Sequence, residues 1–352
     1  MTTIDNQDKL KQIDHSIDRA ITYLVNHQFP NGEFVTYIAP DAAMQEWCVP
    51  DSVTGVTALI GQCLLPFEDR PVVDTMLNRA CGFLSYQMMR GGVWNYFTRW
   101  HHLFKFLSPD TDDTVVISAF LKRRKVSFPD NTRLLLENRT KKGLFYTWFT
   151  IHPEFKKYSK TYWRLIAREL KSPFKTLWYW MKHDHRRSDI DLVVNANCVC
   201  YLGYSDITKP SVDFIVETLK SGKEKGSDKW YINMIVYYSF LSRLFEMDIP
   251  GFDEIKEIFI EKVKKAIDNS QVFMNCSIEL ALATSSLLRA GYKNNTLLKS
   301  YTDRITELQQ STGEWERYEF CSGPAKILVW GSEELSTAFC IEALQLYKKH
   351  LS

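Results

Sequence analysis

Gln309-Gln-Ser-Thr-Gly313-Glu-Trp315 lies directly after an amphipathic helical pattern, and three other segments of the chain share its form. They are Gln28-Phe-Pro-Asn-Gly32-Glu-Phe34, Gln87-Met-Met-Arg-Gly91-Gly-Val-Trp94 and Arg139-Thr-Lys-Lys-Gly143-Leu-Phe145, of which the last two keep the pattern Q-x-x-x-G-x-aromatic loosely. At each site the glycine can close a helix in the left-handed conformation while the aromatic ring packs over the helix end. The glycine spacing fits about six helical hairpins and predicts a closed (α/α)6 toroid.

Apolar residues elsewhere recur mostly at the helical period of about 3.6 residues rather than in alternation. One broad apolar face runs from Trp230 to Leu244, and another runs from Leu335 to Tyr347. The strongest hairpin signal, Asn31-Gly32, is followed only by a short extended stretch at 33–38. We therefore expect an all-α chain whose residues 1–352 form a single toroid domain.

The composition is that of a globular protein, since 45% of the 352 residues are hydrophobic, 24% are charged, and Gly and Pro number only 15 and 12. Eight cysteines, none in a C-x-x-C arrangement, lie mostly in apolar runs, as reduced thiols do. The polar residues 1–12 contain no signal-peptide core, and no apolar run reaches about 18 residues. We expect a cytoplasmic protein, at most peripheral to the inner face of a membrane.

Positive charge is concentrated in one part of the chain. Residues 122–187 contain 18 Lys and Arg against 5 Asp and Glu, although the whole chain has a net charge of only +2. This region is either a solvated basic face or a surface that meets an anion, such as a diphosphate or an anionic membrane. Bulky apolar residues interrupt the basic run and no nucleic-acid-reading motif accompanies it, so a nucleic-acid partner is not expected. Residues 151–187 depart from the repeat pattern and are interpreted as a basic, aromatic insertion or lid, with a plain surface hairpin as the alternative.

Three carboxylates crowd one predicted helix N-terminus in Ser108-Pro-Asp110-Thr-Asp112-Asp113-Thr114, which precedes the apolar run 115–121. Ser108 or Asp110 can cap this helix, and Pro109 suits its first turn. Like charges at this spacing favour retention of one proton, whereas the helix dipole keeps the group acidic. In a dry site, such a carboxylic acid could protonate an isolated alkene.

Asp110-Thr-Asp112-Asp113-Thr114 resembles the D-x-D-D-T motif of class II terpene cyclases, and the glycine-aromatic segments resemble the QW repeats of the squalene-hopene cyclase superfamily. Trp330-Gly331-Ser332-Glu333-Glu334 resembles the closing repeat that leads into the final helix. The resemblance spans roughly 20–346 and implies an (α/α)6 barrel. It also implies that the middle aspartate, here Asp112, is the general acid.

The same resemblance implies protonation-initiated cyclisation of a linear isoprenoid, expected here to be a prenyl diphosphate, with Asp110 and Asp113 tuning Asp112. Aromatic faces attract carbocations by about 0.5–2 kcal/mol each. The candidate substrate-binding residues are Trp94, Tyr96, Trp100, Tyr146 and Trp148 for the cavity wall, and Arg186, Arg187 or the run 122–125 for the anionic head group. Asn195 and Asn197 either position a water for the final deprotonation or cap a helix, and we expect capping.

Metal chemistry has weaker support. Asp112-Asp113-Thr-Val-Val lacks the D-D-x-x-D pattern of magnesium-dependent ionisation, and no D-x-C suggests a zinc set. Mg²⁺ is therefore expected only as a companion of a diphosphate, and no zinc or other protein-held metal is predicted. His183-Asp184-His185 is interpreted as part of a solvated basic loop.

Two other functions fit an α/α toroid. One is a carbohydrate-active hydrolase or lyase, which needs two carboxyl groups facing each other across a cleft. The other is a non-catalytic isoprenoid-binding module. Familiar class II cyclases also place their site between two helical domains, so here the cavity lies inside one barrel roofed by 151–187, or a second helical domain or another partner, such as a phosphatase, works alongside.

Overall fold

The computed structural model describes residues 3–152, 158–171, 174, 178, 180, 181, 186–323 and 328–351. Within them the chain is mostly helical, as expected from its periodicity. The α-helices, in chain order, are α1 (Thr3–His27), α2 (Gly55–Leu64), α3 (Pro71–Gln87), α4 (Thr111–Arg123), α5 (Thr132–Glu137), α6 (Lys160–Lys171), α7 (Leu192–Leu202), α8 (Lys209–Ser221), α9 (Met234–Ser242), α10 (Lys256–Asn269), α11 (Ser277–Arg289), α12 (Asn295–Glu307) and α13 (Glu333–Leu351). Short 3₁₀ turns cover Leu65–Phe67, Arg243–Glu246, Phe252–Ile255 and Phe273–Asn275.

An inner ring forms the core of the fold. Helix α2 packs on α4, α4 on α7, α7 on α9, α9 on α11, α11 on α13, and α13 returns to α2. These helices are buried along most of their length, which explains why their apolar residues run almost continuously. The all-α prediction is confirmed, and the closed order of helix contacts is what an (α/α)6 toroid requires.

Amphipathic helices surround the ring. Helices α1, α3, α8, α10 and α12 each pack one apolar face against inner helices and leave the other face in solvent. Between the inner helices α4 and α7, α5 and α6 pack together through a smaller apolar cluster that includes Tyr158, Tyr162 and Leu165. Part of the predicted insertion at 151–187 therefore contributes to a core, while 153–157, 172–173, 175–177, 179 and 182–185 lie outside the described residues.

A small antiparallel sheet was not expected from the sequence. Its strands are β1 (Thr36–Ala39), β2 (Val49–Asp51), β3 (Cys321–Ser322) and β4 (Val329–Gly331), in the order β2-β1-β4-β3. The register places Ile38 opposite Val49 and Trp330, and Cys321 opposite Trp330. Each strand has only two to four residues, too few for a reliable alternating pattern, so the sequence shows only the extended stretch near 33–38.

The repeat glycines adopt the predicted left-handed conformation, with φ of 93° at Gly32 and 109° at Gly313. The preceding helices end four to six residues earlier, so these glycines lie in the connecting turn rather than directly at the helix end. At Gly32 a Cβ atom would lie 2.1 Å from the carbonyl oxygen of Arg79 on α3, so space as well as conformation requires glycine there.

Hydrogen bonds that recur from one repeat to another explain why a glutamine and an aromatic residue accompany the glycine. The side-chain amides of Gln28 and Gln309 donate to the carbonyls of Gly32 and Gly313 at 3.1 and 2.8 Å. The backbone N–H of the repeat aromatic residue donates to a threonine hydroxyl of the following inner helix, in Phe34 to Thr57, Trp94 to Thr114 and Trp315 to Thr337. Each repeat thus joins one hairpin to the next inner helix.

None of the described helices is both long and apolar enough to cross a membrane.

Candidate functional site

The three aspartates lie where α4 begins. Asp110 is the N-cap residue, and its Oδ1 accepts a hydrogen bond from the backbone N–H of Asp113 at 2.7 Å. The backbone of Asp110 also pairs with Trp94 on one side and Trp148 on the other. Trp94 belongs to an aromatic repeat and Trp148 follows the next repeat by three residues, so two repeat regions hold the acid-bearing turn in place.

Asp112 is fixed by two donors from distant parts of the chain. Its Oδ1 accepts from the side-chain amide of Asn197 on α7 at 2.7 Å, and its Oδ2 accepts from the hydroxyl of Tyr231 at 2.8 Å. Tyr231 is positioned in turn by Asp228, whose carboxylate accepts the backbone N–H groups of Trp230 and Tyr231, both at 3.0 Å. The carboxyl group therefore has a defined orientation.

Asp112 and Asp113 face a cavity at the N-terminal ends of inner helices. The space free of protein atoms there, counted together with the open solvent at its mouth, is about 780 Å³. Its wall is mainly aromatic and aliphatic, and the lining residues are Gly55, Val56, Leu59, Tyr96, Phe97, Leu107, Asp110, Asp112, Asp113, Thr147, Trp148, Trp230, Tyr231, Phe320, Cys321, Ser322 and Trp330. Among these described lining residues there is no Lys, Arg or His, so the aspartates have no cationic neighbour in the cavity.

Burial raises the pKa values of all three carboxyl groups, although the charge of Arg243 opposes the rise at Asp112. Burial raises the pKa of Asp113 to about 7, and the charge of Asp112 adds to the effect. Burial also raises the pKa of Asp110, with a further contribution from Asp113. For Asp112 burial raises the pKa as well, although the hydrogen bonds from Asn197 and Tyr231 oppose that rise by favouring the ionised form. A buried carboxylic acid that still has stabilisers for its conjugate base is suited to giving up a proton.

Of the five aromatic residues selected from the sequence, Tyr96 and Trp148 line the cavity. Trp94 lies in the core, where its indole N–H donates to the carbonyl oxygen of Leu84 at 2.7 Å. Tyr146 is buried behind the wall and stacks on His152 with ring centroids 3.8 Å apart. Trp100 is 51% exposed and its indole N–H donates to Ser52. The structure thus places Trp94, Tyr146 and Trp100 outside the cavity wall.

Asn195 and Asn197 point to different sides of helix α7, as two residues at this spacing in a helix must. Helix α7 begins at Leu192 with Asp191 as its N-cap residue, so neither asparagine caps it, contrary to the expectation. Asn197 faces Asp112, whereas Asn195 faces the other way and bonds with the backbone of Phe145 and the hydroxyl of Ser211. Only Asn197 contributes to the acid site.

The predicted anion-binding residues do not line the cavity. The guanidinium carbon of Arg187 lies 5.9 Å from the ring centroid of Trp180, which packs edge-on against Trp148, also at 5.9 Å. The backbone N–H of Arg186 donates to Asp189. Residues 122–125 lie at the opposite end of α4, roughly 15–20 Å along the helix from Asp112, because a helix rises about 1.5 Å per residue. In that run Arg124 is paired with Glu68 and Asp74.

Sequence reasoning missed several wall residues, notably Trp230, Tyr231, Phe320 and Trp330. The apolar pattern from Trp230 was assigned to a helix, but α9 begins only at Met234, so Trp230 and Tyr231 lie in the preceding turn. Trp330 belongs to β4, and its indole N–H donates to Asp51 at 2.6 Å. A signal was available for three of them, since Trp230-Tyr231 and Trp330 each precede an inner helix just as the recognised repeats do.

A second cavity lies at the C-terminal ends of the inner helices. Its charged lining residues are Arg123, Arg243, Glu246, Arg289 and Glu342, and Asn197 also borders it. Arg289 pairs with Glu342 at 2.7 Å and with Glu246 at 3.3 Å. Burial alone would raise the pKa of Glu342, but Arg289 and Arg243 outweigh burial and lower it.

No metal centre emerges from the side-chain arrangement across the described ranges, since no group of three or more His, Cys, Asp and Glu side chains there could hold a metal ion. His183 and His185 lie outside those ranges.

The fold is the one found in type II terpene cyclases. The apo structure of the type II terpene cyclase MstE from Scytonema matches with a TM-score of 0.64 at 13% identity, over 97% of this chain and 99% of that chain. MstE in complex with geranylgeranyl dihydroxybenzoate, its substrate, matches with a TM-score of 0.62 at 13% identity, over 98% and 100%. A protein from Actinoplanes matches with a TM-score of 0.68 at 14% identity, over 95% and 99%. No protein-family model and no curated protein matches the sequence.

Proposed function

We propose that this protein is a class II terpene cyclase-like enzyme in which Asp112 protonates a double bond of a linear isoprenoid and so starts cyclisation. The observation that carries the proposal is the placement of Asp112. Its carboxyl group, held at both oxygens by Asn197 and Tyr231, lines a cavity walled mainly by aromatic rings.

The proton transfer follows from the geometry of the carboxyl group. Each oxygen of Asp112 has more than one lone pair, so it can accept from Asn197 or Tyr231 while one oxygen also carries a proton. When the O–H bond breaks, the proton adds to the less substituted alkene carbon and leaves a tertiary carbocation. The two donors then stabilise the carboxylate that forms. Loss of a proton from the cyclised cation completes an isomerisation, so no oxidant or reductant is required.

The wall suits the cationic stage of the reaction. Trp148 and Trp230 pack edge to face with ring centroids 5.6 Å apart, and Tyr231 packs against Phe320 at 5.7 Å. Such rings attract a cation by about 0.5–2 kcal/mol each. They also leave few polar groups to hold a water that would quench the cation.

The solved structures support an isoprenoid substrate. MstE binds geranylgeranyl dihydroxybenzoate as substrate and merosterolic acid A as product, and this chain matches nearly the whole of each matched chain. A chain of this extent therefore has a precedent for holding an isoprenoid in this fold. That precedent favours a cavity inside one barrel over one completed by a second helical domain.

In this proposal the anionic head group of the isoprenoid substrate lies outside the acid cavity. A diphosphate beside Asp110, Asp112 and Asp113 would meet like charge and no cation among the described lining residues. Arg187, stacked on Trp180 next to Trp148, is the basic residue that we assign to the head group, whether it is a diphosphate with Mg²⁺ or another anion. Replacing Arg187 by Gln should raise the KM for a prenyl diphosphate more than the KM for the matching prenyl alcohol, and equal effects would exclude this assignment.

The function is tested by incubating the protein with linear isoprenoids, as alcohols, diphosphates and aromatic conjugates, in H₂O and in D₂O. We expect a product isomeric with its substrate that gains one deuterium in D₂O, because the initiating proton comes from an exchangeable carboxyl group. Asp112→Asn should lower the rate by about 10²–10⁴-fold while the protein stays folded. Asp253→Asn, at an exposed position, is the matched control.

Release of inorganic diphosphate with no deuterium uptake would instead indicate ionisation and would contradict the proposal. Turnover of a polysaccharide panel would favour the carbohydrate-active alternative. In this structure all three cavity carboxyl groups come from one turn rather than from two sides of a cleft. Tight binding of an isoprenoid without any product would favour the non-catalytic module.

We also propose that the basic, aromatic insertion predicted at residues 151–187 contacts an anionic membrane surface, where lipophilic isoprenoids partition. Phe174 and Met181 are 86% and 72% exposed, and Trp178 between them is also exposed, at the spacing of one helical face. Phe174→Ala should reduce co-sedimentation with vesicles rich in phosphatidylserine, whereas Phe29→Ala, exposed elsewhere, should not. Equal sedimentation of both variants and the unmodified protein would exclude the contact.

A further inference from the structure

Helix α2 begins against the side chain of Asp113. Its first residue, Gly55, lines the acid cavity, and a Cβ atom at Gly55 would lie 2.0 Å from Oδ1 and 3.2 Å from Cγ of Asp113. Gly55 does not have a positive φ, so its backbone conformation would suit other residues. A side chain at position 55 would therefore displace the Asp113 carboxylate, and glycine leaves that space to the carboxylate.

Asp113 adjoins Asp110 in the first turn of α4, where the two carboxyl groups lie close enough for each to affect the pKa of the other. Oδ1 of Asp110 accepts the backbone N–H of Asp113, while its Oδ2 is buried and has no donor within the described part of the chain. Two carboxylate oxygens repel each other unless one of them carries a proton. A proton on Asp110 that is donated to Asp113 would satisfy both groups.

The surroundings of the two carboxyl groups favour that proton. The titratable groups that face them are Asp112 on the same turn, Tyr96, Tyr231 before α9, and Cys321 on β3. Burial raises the pKa of Cys321 to about 12 and raises the pKa values of both tyrosines, so all three are neutral near neutral pH. Within the described ranges no lysine or arginine forms an ion pair with Asp110 or Asp113, whereas the amide of Gly55 favours the ionised form of Asp113.

We propose that Asp110 and Asp113 hold one proton between them as a pair, and that Gly55 is a positioning residue for this pair because it lets α2 lie against the Asp113 carboxylate. The pair then carries one negative charge instead of two beside Asp112. This inference rests on the proposed function only for its consequence: a single neighbouring charge weakens Asp112 as an acid less than two charges would. The pair itself exists or fails independently of any substrate.

A double-mutant cycle in the full chain tests the positioning role. Gly55→Ala should lower the denaturant midpoint, because the new methyl group displaces the Asp113 carboxylate. In an Asp113→Ala background the same substitution should cost little or nothing, since its clash partner is gone. Gly82→Ala is the matched control, because a Cβ at Gly82 meets nothing within 4 Å. Equal midpoint losses in both backgrounds would overturn the assignment of Gly55.

The shared proton is tested by isosteric variants that keep the turn. Asn caps a helix as well as Asp does, so Asp110→Asn should fold and donate to Asp113 through its amide. The unmodified protein should lose denaturant midpoint from about pH 5 to about pH 8, and Asp110→Asn should lose much less. Identical pH dependence in the two proteins would overturn the pair.

Activity gives an independent third measurement. If the protein cyclises isoprenoids, Gly55→Ala should lower kcat about tenfold or more with KM within about twofold, and its pH-rate profile should differ in shape from that of Gly82→Ala. An unchanged pH-rate profile in Gly55→Ala would count against the pair. Failure of cyclisation in every variant, with the pH-dependent midpoints as expected, would overturn the proposed function and leave the pair standing.

Discussion

Glu342 and Asp113 are both buried carboxyl groups on inner helices, yet they lie at opposite ends of the ring and in opposite electrostatic settings. Glu342 has the guanidinium of Arg289 at 2.7 Å, and its pKa is lowered despite its burial. Asp113 has no cation within ion-pair distance among the described residues, and burial raises its pKa to about 7. One ring of helices therefore provides a charge-paired end and a proton-holding end.

The difference shows that burial alone does not make a carboxyl group keep its proton. Both groups lose hydration, but only the one without a cationic partner keeps its proton near neutral pH. At the acid end the partners are neutral donors, Asn197 and Tyr231, which stabilise the carboxylate without the full field of a cation. The described cavity wall has no basic residue, and this helps the carboxyl groups at that end of the ring to keep their protons.

The largest expected effect comes from removing the cation at the paired end. Arg289→Gln leaves the buried Glu342 without its ion-pair partner and with only the weaker effect of Arg243, and this should cost about 3–5 kcal/mol of the free energy of unfolding. Denaturant titration at neutral pH measures the loss. Arg133→Gln, which breaks the exposed pair with Glu137, should cost less than about 1 kcal/mol. A similar cost for both variants would mean that the Arg289 pair is not buried in solution.

At the acid end, removing a charge should have the opposite sign. Asp110→Asn should raise the free energy of unfolding by about 1–3 kcal/mol at about pH 8, because the buried Oδ2, which has no donor in the described residues, is replaced by an amide N–H that can donate to Asp113. The native state raises the pKa of Asp110, so it binds a proton more tightly than the unfolded chain. Its stabilising effect is therefore present at low pH and is lost as pH rises, which makes the advantage of Asn small near pH 4. Destabilisation at both pH values would contradict this account.

A smaller effect is expected from the neutral donors. Tyr231→Phe removes one hydrogen bond to the ionised form of Asp112, so the pKa of Asp112 should rise by about 1–2 units and its acid strength should fall. The alkaline limb of the pH-rate profile should move to higher pH while the plateau rate falls about tenfold. Tyr237→Phe, which removes a hydroxyl bonded to Ser227 instead, is the control and should leave the profile in place.

The smallest effect separates structural from lining aromatic residues. Trp94→Phe should lose about 1 kcal/mol of stability, because the indole N–H bond to Leu84 is lost, without changing which product forms. Trp148→Phe alters the cavity wall and should change the product distribution measured by mass spectrometry. A changed product pattern in Trp94→Phe would show that the core and wall are not independent.

Local sequence patterns were sufficient to predict the fold class and the acid turn. The helical period, the left-handed glycines and the N-cap with three carboxylates depend on residues close together in the chain. The partners of Asp112 could not be predicted in the same way, because Asn197 and Tyr231 lie 85 and 119 residues away. Their roles depend on how the ring closes.

The aromatic residues show the same limit. Trp94 is the aromatic residue of one repeat and Trp148 follows another repeat by three residues, and one indole is buried in the core while the other lines the cavity. The repeat specifies where the backbone turns, whereas helix packing decides which face of each ring meets the interior space. The strands are too short to produce a pattern, so the sheet that positions Trp330 and Cys321 also required the structure.

Closure of the ring by α13 has a consequence for biosynthesis. This helix, residues 333–351, packs between α11 and α2, so two inner helices lack a neighbour until it has been made. A nascent chain that already contains the acid turn but not α13 would therefore have an incomplete ring of inner helices, with apolar helix faces exposed to water. The acid site can mature only after ribosomal synthesis has passed residue 351, and chaperone capture of the incomplete ring before that point is the expected hazard.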